Sequence, residues 1–192
     1  MSTLLDIRTY GDPVLREEAT RVQTVTAELR QLAKQMLESM RAAKGVGIAA
    51  QQVGRTESVC IVEILPEYDV EAPNGPRLNP QVEMPLTMFN PELMDASEDE
   101  VWTMEEGCLS FPGIQGNVER PWRVKVRYLG LDGVTHEVDL QGYAARAAQH
   151  EMDHLSGKLF VDRFSHVKKL AVKGKLRRLR EETLDRTGGG NA

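Results

Sequence analysis

The chain has 192 residues, 29 of them acidic and 24 basic, for a formal net charge of −5. That length is most simply one domain with a substantial core, and the acidic balance gives no sign of sequence-specific nucleic-acid binding. Met1 to Arg8 lack the apolar core of a signal peptide, and no stretch is long and apolar enough to span a membrane.

In chain order, the first element is a helix at about Thr26–Lys44, with Leu29, Leu32, Met36 and Met40 at helical spacing as a core stripe. Gly45-Val46-Gly47-Ile48-Ala49-Ala50-Gln51-Gln52-Val53-Gly54 follows. It has no Gly-Lys-Ser/Thr and no strand before its glycines, so phosphate binding is a poor fit. A close-approach loop delivering one amide side chain, a neutral donor suited to an oxyanion, fits better. A strand near Ser58–Ile64 contains Cys60 in an apolar, β-branched run, where a small core residue is expected.

Six of the nine prolines fall between Pro66 and Pro91, marking a long surface loop, with strands near Leu86–Phe89 and around Val101. Cys108 then stands out, after Glu105-Glu106-Gly107 and before Leu109-Ser110. Two cysteines in a chain without a signal peptide argue for free thiols in a reducing, cytoplasmic setting, unless an organellar presequence has been removed. Val124–Leu129 and His136–Leu140 alternate like a hairpin around an Asp132-Gly133 turn.

An alanine-rich helix comes next and carries Gln149-His150-Glu151-Met152-Asp153-His154. His150 and His154, two of only four histidines, project from one helical face and can share a metal ion; Glu151 can reach a water on it. A third ligand is needed. Glu181 and Glu182 lie in a highly charged, solvated terminal segment, so Cys108 is the better candidate. One thiolate and two imidazoles leave a fourth position open for water and suit Zn²⁺, Fe²⁺, Co²⁺ or Ni²⁺.

Lys168 to Arg180 contains seven basic residues and no acid, punctuated by Leu170, Val172, Leu176 and Leu179. Two readings stay open for it: a solvated helix packing its apolar residues on the body, or a phosphate-facing helix. The expected fold is α+β, a single domain with antiparallel sheets around a central metal-binding helix, an N-terminal helix and a C-terminal basic helix. Residues 1–165 form the catalytic body, 166–187 its helical extension, and 188–192 a disordered tail.

Taken together, three strings resemble the signature motifs of peptide deformylases. The family's Gly-apolar-Gly-apolar-Ala-Ala-x-Gln is matched by Gly45 to Gln52, Glu-Gly-Cys-Leu-Ser by Glu106 to Ser110, and Gln-His-Glu-x-Asp-His-Leu-x-Gly by Gln149 to Gly157. Asp12-Pro13-Val14-Leu15-Arg16 is a weaker fourth likeness, and the resemblance covers about Leu5 to Phe164. It implies a hydrolase that removes the formyl group from the formylmethionine of nascent polypeptides, releasing formate by metal-hydroxide attack. Native Fe²⁺, replaceable by Zn²⁺, Ni²⁺ or Co²⁺, would be held by Cys108, His150 and His154. Glu151 would be general base and acid, with the Gln52 side chain and the Leu109 N–H as oxyanion donors. For the phosphate-facing reading of Lys168 to Arg180, the resemblance implies ribosomal RNA as the partner.

By the same resemblance the substrate site includes Val46, Gly47, Met104, Glu106, Gly107, Tyr143 and Ala147, with Glu106 as a carboxylate behind the metal ligands or in the pocket. Some members carry an arginine seven residues after the cysteine, where this chain has Gln115; Arg120 and Arg146 are the nearby basic alternatives. A metallopeptidase or other amidase with the same ligands, and a metal-bearing ribosome-associated binding module, are the competing readings. Glu151 and Gln52 weigh against the latter, because a structural metal needs neither.

Overall fold

The computed structural model describes residues 4–188. Of the tail expected at 188–192, Gly188 is instead the left-handed cap of the last helix, its N–H bonded to the Leu184 carbonyl, and 189–192 lie outside the described residues. Helix α1 spans Ala27–Ala42, capped by Thr26, whose hydroxyl accepts from the Leu29 N–H at 3.3 Å. Seven strands follow in chain order: β1 (Gly47–Ala49), β2 (Val59–Val62), β3 (Leu86–Ala96), β4 (Val101–Gly107), β5 (Gln115–Pro121), β6 (Arg123–Leu129) and β7 (Thr135–Gln141). Helices α2 (Gly142–Leu155) and α3 (His166–Thr187) complete the chain. All strand pairs are antiparallel, in one sheet of order β1-β2-β3-β6-β7 and a second of β4 and β5.

The alternation of side chains along β2 explains why its whole run is apolar. Cys60 and Val62 pack toward α2 with Ala144, Ala145 and Ala148, while Val59 and Ile61 pack toward Met36 and Met40 of α1. The larger sheet is thus covered by a helix on each face, and a strand buried on both sides has no polar positions. Alanines on α2 leave little between its backbone and the sheet, which draws the metal-ligand helix into the centre of the molecule. Where α2 ends, Gly157 takes a φ of +65°, and a Cβ there would meet the Arg16 carbonyl oxygen at 2.5 Å.

Several expectations are corrected. The glycine-rich string is a short strand, β1, followed by a 3₁₀ turn over Ala50–Val53, rather than loop throughout. The third strand runs on to Ala96, with register shifts around Pro91 that accommodate the missing N–H. β5 was not anticipated, because only Gly116, Val118 and Arg120 of its polar sequence turn inward. The proline-rich segment is not surface loop throughout: buried Asp69 and Asn79 are bonded at 2.5 Å, and Asn79 exchanges hydrogen bonds with the Gln141 backbone at 2.8 and 3.1 Å. That pair anchors the loop to the first turn of α2.

Helix α3 packs back on the body through Val172, Leu176 and Leu179, which join Phe111, Val118, Phe160 and Phe164 in a third apolar cluster. Leu170 does not follow them and is 58% exposed. Accordingly, Leu179→Ala should lower the unfolding free energy by about 2–4 kcal/mol and Leu170→Ala by less than about 0.5, as read from urea denaturation. Equal effects would mean that α3 does not pack in this way.

Candidate functional site

Cys108 directly follows β4, and α2 turns His150 and His154 toward it. The ligand atoms of these three residues all lie within 4.8 Å of one another, with Cys108 Sγ 3.3 Å from His154 Nε2. Tetrahedral bonds of about 2.0–2.3 Å place neighbouring ligand atoms roughly 3.3–3.6 Å apart, so the donor set fits a divalent transition metal in both spacing and softness. His150 Nδ1 sits 3.0 Å from Glu106 Oε2, which leaves its Nε2 for the ion.

The electrostatics agree with that reading. Burial, together with the neighbouring His150, holds His154 well below the usual histidine range, so it is a neutral imidazole. Burial also opposes charge on His150, but its hydrogen bonds to Cys108 and to the accepting Glu106 carboxylate outweigh it and lift that pKa to about 10. Anionic neighbours that raise affinity for a proton raise it equally for a metal cation. Glu151 is 4% exposed and pushed up to about 7 by burial, and its Oε2 has no partner among the described residues.

Gly47 has a steric part in this arrangement: a Cβ there would lie 2.3 Å from Glu151 Oε1. Gln52 is buried, and its Oε1 accepts from the Ala49 N–H at 2.7 Å. The amide is thereby turned so that Nε2 points at Cys108 Sγ, 3.4 Å away. The Leu109 N–H donates no hydrogen bond among the described residues. These groups surround a cavity of about 370 Å³, whose remaining wall includes Val46, Gly107, Tyr143 and Ala147.

Met104 is not in that wall. At about 3.3 Å per residue, β4 carries it roughly 13 Å back from Cys108, and it stands opposite Val118. Gln115 does line the cavity. Arg120 is not available to a substrate: it is 1% exposed, and its fork grips Glu106 at 2.6 and 3.0 Å and Asp153 at 2.8 Å. Arg146 borders the cavity, but its terminal nitrogens are committed to Glu106 and to the Val118 and Trp102 carbonyls.

Asp153 was overlooked in the sequence. It holds Arg120 and, at 2.7 Å through both oxygens, Arg163, so one network of charges runs from Arg163 to His150. A signal was present: Arg146, Glu151 and Asp153 interrupt an alanine-rich buried helix, and buried ionisable groups need partners.

A family model described as Polypeptide deformylase matches residues 4–170. The peptide deformylase of Opitutus terrae is 40% identical over 176 residues, covering 91% of this chain and 92% of the relative. Among solved structures, the peptide deformylase of Ehrlichia chaffeensis superposes with a TM-score of 0.79 at 31% identity, covering 95% of this chain and 99% of that one. A Synechococcus elongatus peptide deformylase in complex with actinonin gives a TM-score of 0.72 at 37% identity, with 96% and 88% covered.

Glu106 sets a test for the site. Burial pushes its pKa up, but the His150 and Arg120 hydrogen bonds prevail and hold it at about 2. Because the folded value lies below that of the unfolded chain, roughly 4.3, the stabilisation is complete above that range and lost as pH falls toward 2. Glu106→Gln should flatten this acid-side dependence. It should also lower stability at neutral pH by about 3–5 kcal/mol, since buried Arg146 loses its carboxylate partner and Arg120 keeps only Asp153. Chemical denaturation across pH 2–7 reads both effects, and an unaltered slope would remove Glu106 from its assigned place.

Proposed function

Since the chain belongs to the peptide deformylase family of metal-dependent hydrolases, we propose that it removes the N-formyl group from the formylmethionine of nascent polypeptides and releases formate. The carrying observation is that Cys108, His150, Glu151 and Gln52 line one cavity, with the His154 ligand atom within 4.8 Å of those of Cys108 and His150. A divalent ion held by the first three would acidify a water and polarise the formyl carbonyl. Thiolate and imidazole donors suit Fe²⁺ as the native ion, with Zn²⁺, Ni²⁺ or Co²⁺ as substitutes.

The chain's own residues do the rest. Glu151, raised toward neutrality, takes a proton from the attacking water and returns it to the amine nitrogen as the C–N bond breaks. Charge builds on the formyl oxygen meanwhile. Gln52 Nε2 and the Leu109 N–H are the donors for it, each worth roughly 3–4 kcal/mol in the transition state. The Gln52 amide is already oriented, because its Oε1 is held by the Ala49 N–H. Val46, Tyr143 and Ala147 form the apolar side that takes the methionine side chain.

No helix among the described residues is long and apolar enough to cross a membrane, and we place the reaction in the cytoplasm. The basic helix at 166–187 belongs with the body at 1–165, as its packed Val172 and Leu179 support. Its outward Lys169, Lys173, Lys175, Arg177 and Arg178 form the surface through which it would dock on ribosomal RNA near the emerging peptide.

Formyl-Met-Ala-Ser should release formate, and its acetylated counterpart should react roughly a hundredfold more slowly, because a methyl replaces the formyl hydrogen. Comparable rates would point to a broader amidase. Glu151→Gln should cut kcat about 10²- to 10⁴-fold with metal content unchanged; undiminished turnover would remove the proposed proton carrier. Co-sedimentation with ribosomes should be salt-sensitive and weakened by Lys173→Glu with Arg178→Glu, whereas binding indifferent to both would sink the docking reading.

A further inference from the structure

The three candidate ligands come from two elements, and the covalent chain does not fix the gap between them: Glu106 and His150 are 44 residues apart in sequence. The joint is the Glu106 carboxylate, two residues before Cys108. From α2 it is gripped by side chains one helical turn apart, Arg146 (Nη1 to Oε1, 2.6 Å) and His150 (Nδ1 to Oε2, 3.0 Å). From β5, Arg120 binds both of its oxygens.

Both terminal nitrogens of Arg146 are held, while its buried Nε has no hydrogen-bond partner among the described residues. Its Nη1 also donates to the Val118 carbonyl at 3.0 Å, its Nη2 donates to the Trp102 carbonyl, and its guanidinium carbon lies 5.1 Å from the centre of the Trp102 ring. It is 2% exposed. Through these contacts one side chain of α2 bonds both β4, at Trp102 and Glu106, and β5, at Val118. An apolar residue would fill the same place without the cost of burying a guanidinium, so the arginine's distinctive contribution is this set of directed bonds.

We propose that Arg146 is a positioning residue for the metal centre: by tying α2 to β4 and β5 through Glu106, it sets the spacing of Cys108 from the two histidines and hence the affinity and geometry of the bound ion. The proposal rests on Cys108, His150 and His154 being the ligands and is independent of which acyl group is cleaved. Arg146 acts through Glu106 and His150 rather than on the ion.

The test uses Co²⁺, loaded anaerobically into the full chain, with affinity from chelator competition and geometry from the thiolate charge-transfer and d–d bands. Arg146→Leu should bind Co²⁺ about 10- to 100-fold more weakly and with shifted d–d bands, while its far-ultraviolet circular dichroism is unchanged. In a Glu106→Gln background the same substitution should cost less, because the bond to the Glu106 carboxylate is already weakened and only those to the Val118 and Trp102 carbonyls remain to be lost. An unchanged affinity and spectrum in the folded variant, or an equal loss in both backgrounds, overturns the proposal. If Arg146→Leu does not fold, Arg146→Lys carries the test: a single ammonium cannot also hold the Val118 and Trp102 carbonyls, a severalfold loss is expected, and wild-type affinity overturns it. A wild-type protein without a thiolate–Co²⁺ band would instead overturn the ligand assignment, and the proposal with it.

Discussion

A buried carboxylate cannot remain ionised unless its charge is met on several sides, and Glu106 imposes that requirement on the architecture around it. It stands between the small sheet and the central helix, where Arg120, Arg146 and His150 all converge on it. Arg120 in turn needs Asp153, and Asp153 is shared with Arg163. Removing Glu106 or Arg120 would leave a charge in a low-dielectric interior, so the network enforces one mutual placement of β4, β5 and α2. The ligand geometry is a by-product of that placement.

Around this polar joint the packing is conventional. Both faces of the larger sheet are covered by helices, and the short side chains of Ala144, Ala145 and Ala148 let α2 approach it closely. That closeness desolvates His154 and Glu151, which keeps one imidazole neutral and lifts the carboxyl toward the range useful for proton transfer. Gly47 makes room at the same point, where any side chain would displace Glu151. Core packing and chemistry are therefore connected through the depth at which α2 sits.

The parts of the fold that were legible have local causes. The α1 stripe of Leu32, Met36 and Met40, the all-apolar β2 and the β6–β7 hairpin each follow from periodicity or turn chemistry within the segment. β5 was hidden because its inward residues, Gly116, Val118 and Arg120, are not an apolar set; Arg120 faces inward only because Glu106 and Asp153 receive it. The run of β3 past Pro91 depended on a bulge in its pairing with β6, which its own sequence does not announce. Met104, nominated from a motif, does not line the cavity, since a motif fixes order along the strand and not where the cavity ends.

The sequence by itself determined the chemical inventory. His150 and His154 four residues apart on a helix, with Glu151 between them, specify a metal and a proton acceptor, and Cys108 and Gln52 could be nominated from residue type alone. Only the tertiary structure decided how those residues meet: that His150 offers Nε2 because Glu106 holds Nδ1, that the Gln52 amide is aimed by Ala49, and that Arg120 and Arg146 serve Glu106 rather than a substrate. The physical reason is range. Periodicity and ligand type are properties of a few adjacent residues, whereas satisfying a buried charge depends on side chains that only the folded chain brings together.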